Sequence, residues 1–519
     1  MLKNKSTIYI VSLLLTSLSC FSAFAQAPYE SPKYEFRGVW IATVGNIDWP
    51  SRRDLSAEAQ KAELSKILDS HQRTGINAVM FQIRPAADAL YAKSNEPWSR
   101  FLTGKPGRAP VPFYDPLEFA INECHKRGME LHAWFNPYRA ATDMDPANTT
   151  SDHITKTHPG WFFNYAGKKL FNPGIPQVRD YIIQIIMNVL RQYDVDGIHF
   201  DDYFYPYPEG GEQLPDTATF RLFNMDNFAD IEDWRRHNVD TLIHNLSDSI
   251  HKEKRFVKFG ISPFGIWRNN KRDAEGSETS GLEGYSALYA DARKWVKMGW
   301  VDYVNPQIYF PFNYPAAAFE KLVDWWSVNT YNKHLYVGQA PYRTTERKAA
   351  WQDKTQLPRQ VRYIRQNPRV QGSVYFSSKS ITSNLAGFRD SLQYDLYKYP
   401  ALQPSMLWLD NVPPRPPIEL SAKATTGKQI VLNWHEPLRA EDGEAAYGYV
   451  IYRFNEGEDV DIQNSRNIIK ISFDSKITTF TDESVRPGVR YTYAVTAIDR
   501  LKNESLPSNL VVEKMIASF

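Results

Sequence analysis

Asp201 and Asp202 stand side by side in the stretch VDGIHFDDYFYP, residues 195–206, at the end of an apolar run. Charged groups are costly to hold beside a core unless something pairs with them. Two carboxylates that close push one pKa up, which yields a proton donor beside an ionised partner. Glycoside hydrolysis needs that combination. The plain alternative is that one of the pair caps a turn or a helix. Strand side chains alternate in direction, so a regular strand turns only one of the two inward. Where the backbone leaves the sheet, both can reach one ligand.

Other chemistries find little footing. No HxH or HExxH spacing occurs, so neither metal nor other cofactor is expected. There is no G-x-S-x-G elbow, and Cys124 falls in a predicted helix, away from any strand end.

The elements that must position the acid pair are short apolar runs separated by helix-like stretches. The runs are 36–44, 77–85, 130–138, 196–204, 257–267, 301–310, 334–343 and 372–378. Between them lie amphipathic segments such as 57–75 and 175–193, where Val178, Tyr181, Ile182, Ile185, Ile186 and Leu190 recur at helical spacing. Gly75 and Gly128 follow helix ends, where a left-handed cap favours glycine. Near-continuous apolar strands alternating with helices predict an α/β fold with a parallel sheet, and eight such units predict a (β/α)8 barrel over residues 33–400. An open doubly wound sheet is the runner-up, weakened because no Gly-rich phosphate loop opens a helix.

In such a barrel the site forms where the strands end. The candidate ligand contacts there are Trp40, Gln82, Arg84, Asn136, Tyr138, Arg139, His199, Tyr203, Asn305, Gln307 and Tyr309, with Asp201 and Asp202 as the catalytic pair. Asn46, Asp48, Trp49, Tyr205, Ser262, Trp267, Gln339, Tyr342 and Arg343 lie at or just past strand ends too. Amides, arginines and aromatics at one mouth suit a polyhydroxylated ligand. Each has a plainer reading: Arg84 and Arg139 as rim ion pairs, Trp40 as core, His199 as a hydrogen-bonded interior residue. If the aspartates do not act together, the second carboxylate must come from a loop, with Asp88, Glu209, Glu212, Asp273, Glu275 and Glu278 as choices.

The stretches FRGVWIATVGNIDWPS, AVMFQIRPAADALY, DPLEFAINECHKRGMELHAWFNPYR and DGIHFDDYFYP, followed by ISPFGIWRN and VNPQIYF, resemble the glycosyl-hydrolase-like family 10. The resemblance covers roughly residues 33 to 400. It implies a (β/α)8 glycosidase whose relatives cut peptidoglycan strands stripped of stem peptides. A weaker likeness is to hexosaminidases that use the substrate's own N-acetyl group, which often carry two adjacent acids after strand four. By that likeness Asp201 orients the acetamide and Asp202 is the general acid. A glycosidase acting on another extracellular polysaccharide, or a non-catalytic carbohydrate-binding scaffold, remain as alternatives.

The bulk properties fit. The chain of 519 residues is 14% aromatic, with thirty tyrosines and fourteen tryptophans, more flat faces than a core needs and suited to sugar rings. A net charge of +2 gives no case for nucleic acid as a partner. Lys3 and Lys5, an apolar run and AFA before Gln26 form a secretory signal, residues 1–25, so the protein is expected in the periplasm or cell envelope. Lipidation at Cys20 is the alternative to cleavage after Ala25. Four prolines within 413–417 mark a linker, 401–413, after which alternating short strands predict an all-β module, 414–519. Trp434, Tyr449, TFTD and YTYAVTAID resemble a fibronectin type III domain. It carries no catalytic constellation and is expected to be an independent spacer, or a contact for an envelope protein or a second glycan.

Overall fold

The computed structural model describes residues 31–426 and 428–515. The expected signal and Cys20 lie outside the described residues. Eight parallel strands are β1 (Phe36–Ile41), β2 (Ala78–Arg84), β3 (Glu130–Phe135), β4 (Gly197–Phe200), β5 (Lys258–Ile261), β6 (Tyr303–Val304), β7 (His334–Gln339) and β8 (Gly372–Tyr375). Each pairs with its sequence neighbours, and β8 closes on β1. The expected (β/α)8 barrel is therefore present, and the open sheet is excluded.

Alternation sorts the side chains. On β3, Leu131, Ala133 and Phe135 face the surrounding helices, while Trp134 joins Phe36, Trp40, Met80, Tyr303 and Tyr336 inside the barrel. Gly260 makes room for this interior, since a Cβ there would lie 1.9 Å from the Tyr303 ring. The helix Ala57–Thr74 is capped by the Ser56 side chain and ends on Gly75 at φ 86°. Helix Pro176–Gln192 buries Val178, Ile182, Ile185, Ile186 and Leu190 as the spacing requires, while Tyr181 stays half-buried with its hydroxyl donating to Glu96.

The strands are shorter than the apolar runs that announce them. The run 196–204 leaves the sheet after Phe200, and 301–310 is regular strand only at Tyr303 and Val304, with isolated bridges from Gln307 to Phe264 and Gly338 beyond it. The surplus residues form the loops at the barrel mouth.

The C-terminal module is a sandwich of two antiparallel sheets. Strands Ile418–Ala424, Ile430–His435 and Thr479–Asp482 form one; Ile468–Ser472, Gly448–Asn455, Arg490–Ile498 and Val511–Lys514 form the other. Leu432, Trp434, Tyr449, Ile451, Tyr493 and Val495 fill the space between them. The module is not a detached spacer, contrary to the reading of the linker. Barrel and sandwich are one compact unit. The turn Arg500–Lys502 inserts into the barrel base: Leu501 packs with Phe36 and Tyr303, and the fully buried Lys502 Nζ lies 3.1 Å from Glu130 Oε1. Lys258 Nζ holds the same carboxylate at 2.6 and 2.8 Å. Although burial opposes it, the two lysine charges keep the Glu130 carboxyl well below its ordinary range. Arg500 pairs with Asp194 at 2.7 Å at the margin. A polar turn reads as solvent-exposed in sequence, and only the partner surface converts it into a plug.

Candidate active site

The C-terminal ends of all eight strands and their following loops surround a cavity of about 470 Å³. Trp40 enters from β1, Gln82 from β2, Trp134 from β3, and Asp201 and Asp202 from the turn after β4. Ser262, Gln307, Tyr309, Tyr342, Arg343 and Phe376 complete it from the remaining strand ends.

Because β4 stops at Phe200, the chain turns immediately and both carboxylates reach the one cavity, although strict alternation would send Asp202 outward. Trp134 Nε1 and Asn136 Nδ2 each donate to Asp201 Oδ2 at 3.1 Å. The Tyr207 hydroxyl donates to Asp202. Burial pushes the Asp201 carboxyl up to about 7, with the Arg139 charge opposing the shift and the Asp202 charge adding to it. Burial raises Asp202 as well, against hydrogen bonds from Tyr207 and Gln307 that favour its ionised form. Burial thus disfavours charge on both carboxyls, and their mutual repulsion disfavours two charges side by side, so the pair favours holding one proton between them. Arg139 faces the pair electrostatically and its guanidinium lies 4.8 Å over the Tyr203 ring.

A hydrogen-bond chain runs down the barrel axis beneath the cavity. Trp40 Nε1 donates to His199 Nε2 at 3.0 Å, and His199 Nδ1 meets the Tyr303 hydroxyl at 3.0 Å. That hydroxyl meets His132 Nδ1 at 2.9 Å, and His132 Nε2 meets Glu130 at 3.1 Å. An indole only donates, so His199 Nε2 accepts and its proton is on Nδ1. The Tyr303 proton then points to His132, whose Nε2–H points to Glu130. Burial, and secondly the neighbouring His132, hold His199 well below the ordinary histidine range. His199 is expected to stay neutral, in the Nδ1–H form, from pH 5 to 8. Imidazole nitrogen shifts measured by NMR across that range check this; a titration within it contradicts the chain.

The structure brings Trp40, Gln82, Arg139, Tyr203, Gln307 and Tyr309 to the cavity with the acid pair. Three expected ligand contacts are corrected. Arg84 is buried in a two-pronged ion pair with Glu96, both bonds 2.6 Å, and its Nη1 donates to the Asn136 and Pro137 carbonyls, away from the cavity. His199 is fully buried in the axial chain, and Asn305 is fully buried without lining the cavity. Asn136 and Tyr138 line a neighbouring cavity instead. Asp48 is a brace, accepting from the Ala42 and Lys379 amides and the Ser377 hydroxyl.

Of the six loop carboxylates, none lines the main cavity. Asp273, Glu275 and Glu278 are paired with Arg268, Arg293 and Lys321. Two hydrogen-bond donors to the acid pair escaped the sequence reading. Trp134 was within reach, because it alternates inward with His132 and Asn136 on one run. Tyr207 lies in a loop and had no periodic signal.

The family model described as Glycosyl hydrolase-like 10 matches residues 35–355. The chain is 43% identical over 507 residues to Glycosyl hydrolase YngK of Bacillus subtilis (strain 168), covering 96% of this chain and 97% of that protein. It is 41% identical over 328 residues to Glycosyl hydrolase DigH of Escherichia coli (strain K12), covering 60% of this chain and 74% of that protein. Among solved structures, the PgaB (BpsB) glycoside hydrolase domain from Bordetella bronchiseptica aligns at TM-score 0.43 and 14% identity, over 70% of this chain and 99% of that one. With the closed barrel and matches of this extent, the chain belongs to the glycosyl hydrolase-like 10 family.

Proposed function

We propose that this glycosidase is exported and hydrolyses strands of N-acetylated sugars, most readily peptidoglycan glycan freed of its stem peptides. The observation that carries this reading is the buried pair Asp201 and Asp202 in one aromatic- and amide-walled cavity, with Asp201 pushed up to about 7. One proton shared by two carboxylates supplies an acid and an anion at neutral pH.

The proposed roles follow from how a substrate changes that sharing. An acetamide N–H donating to Asp201 favours its ionised form, and a charged Asp201 in turn favours a proton on Asp202. Docking thus favours the proton on Asp202, the general acid. Asp202 protonates the departing glycosidic oxygen while the acetamide carbonyl oxygen bonds to the anomeric carbon, and Asp201 offsets the positive charge of the resulting ring. Water then opens that ring, with the Asp202 carboxylate taking its proton. Trp134 and Asn136 hold Asp201 in place throughout.

Stem peptides would crowd an enclosed mouth, so amidase-treated peptidoglycan should be cut faster than intact peptidoglycan at equal sugar concentration. Faster release from the peptide-bearing polymer would overturn the substrate assignment. The pair also sets a pH profile. The ratio kcat/KM should fall above about pH 7 as the last shared proton leaves Asp201. Tyr207→Phe removes a donor that favours ionised Asp202, so the acid limb should move up by roughly one pH unit. An unmoved acid limb would show that Tyr207 does not tune the pair.

A further inference from the structure

A second cavity, about 230 Å³, opens beside the first and shares Arg139, Tyr203 and Tyr207 with it. Its far wall is the hairpin of strands Phe162–Tyr165 and Lys168–Phe171, inserted between β3 and the helix Pro176–Gln192. The hairpin tip is clipped to the loop after the acid pair. Tyr165 Oη accepts from the Glu209 amide at 2.9 Å, and the Ala166 amide donates to Glu212 Oε2 at 3.2 Å. The clip makes the wall a built feature.

Three features of the lining bear on what it holds. Tyr203 is 41% exposed between the two cavities, its ring steadied by Arg139, whose Nη1 donates to the Pro85 carbonyl at 3.2 Å. Tyr138 lines the cavity, is 2% exposed, and its hydroxyl has no hydrogen-bond partner among the described residues. Lys168 and Glu209 both line the cavity with exposed side chains and do not pair with each other, so one donates and the other accepts across the same space. An aromatic face flanked by one donor, one acceptor and an unpartnered hydroxyl suits a sugar ring with its mixed hydroxyls better than an anion or an apolar group.

We propose that this cavity is a second sugar subsite, which holds the neighbouring unit of a chain whose cleaved bond lies over Asp201 and Asp202. It rests on the reading of the main cavity as a glycosidase site, and it makes the preferred substrate an oligosaccharide. The test is Lys168→Ala and Glu209→Ala, both on exposed side chains, with kcat/KM measured on peptide-free strands and on an aryl monoglycoside. In each variant the strand-to-monoglycoside ratio should fall about tenfold, the worth of one hydrogen bond to a charged group. An unchanged ratio with both substrates cleaved would overturn the subsite and leave the glycosidase reading intact. Calorimetric titration of strands into the Asp202→Asn protein, with and without each second substitution, reads the subsite without turnover. Equal affinities would overturn it there too.

Discussion

Asp202→Asn is expected to cut turnover of a natural, peptide-free glycan by about 10²–10⁴-fold, the usual worth of general acid–base assistance. The same substitution should cost far less on an aryl glycoside, whose leaving group departs without a proton. Asp201→Asn should damage both substrates similarly, because its proposed partner is the acetamide and not the leaving oxygen. The contrast between substrates therefore separates the roles, which neither loss alone would do. Asparagine keeps the shape of each side chain, and in Asp201→Asn its carbonyl can still accept from Trp134 and Asn136. Circular dichroism should accordingly show an intact fold. Equal losses on both substrates for Asp202→Asn would remove it as the acid; the reverse pattern would exchange the two roles. Two fully active variants would return the pair to a structural cap.

The second large effect lies at the other end of the barrel. Glu130→Gln should destabilise the protein by about 3–5 kcal/mol, the cost of leaving buried charge without its partner. Lys258 and Lys502 both rely on that carboxylate, and both are almost fully buried. Adding Lys502→Met to Glu130→Gln should recover part of the loss, since one of the two stranded charges is gone. Denaturant unfolding of the two single variants and the double variant gives the coupling directly. Additive losses would mean that Lys502 does not belong to the buried cluster. The pH dependence has a definite sign. Glu130 is held well below its ordinary value in the folded protein, so its contribution is present above the unfolded carboxyl pKa and fades as pH falls through the folded one. Removing residues beyond 412 would uncover the same cluster together with Phe36 and Met406, so a truncated barrel is expected to melt earlier than the whole chain.

The barrel was legible because its strands are buried on both faces and read as apolar runs at regular spacing, each followed by a helix with ordinary caps. Strand ends were less legible. Aromatic residues continue past the last ladder bond, as in IHFDDYFYP, and hydropathy does not distinguish a strand from a buried loop. The same ambiguity hid Tyr207. Arg84 misled for a different reason. An inward-facing arginine at a strand end reads as a ligand contact until Glu96, twelve residues on in a loop, is brought against it. Lys502 shows the limit most plainly: a lysine in DRLKNES is ordinary surface until the base of a barrel with its own buried glutamate closes over it. The place of the acid pair, by contrast, was legible, because two carboxylates at the end of an apolar run fall at the barrel mouth once the strand stops.

The most direct measurement is to incubate the protein with peptide-free glycan strands in heavy-oxygen water and weigh the products by mass spectrometry. Hydrolysis by the acid pair should place one heavy oxygen at each new reducing end, and the products should be absent when Asp201 and Asp202 are both replaced by asparagine. Anhydro-sugar ends without heavy oxygen, or equal product from the doubly substituted protein, would contradict hydrolysis at this site.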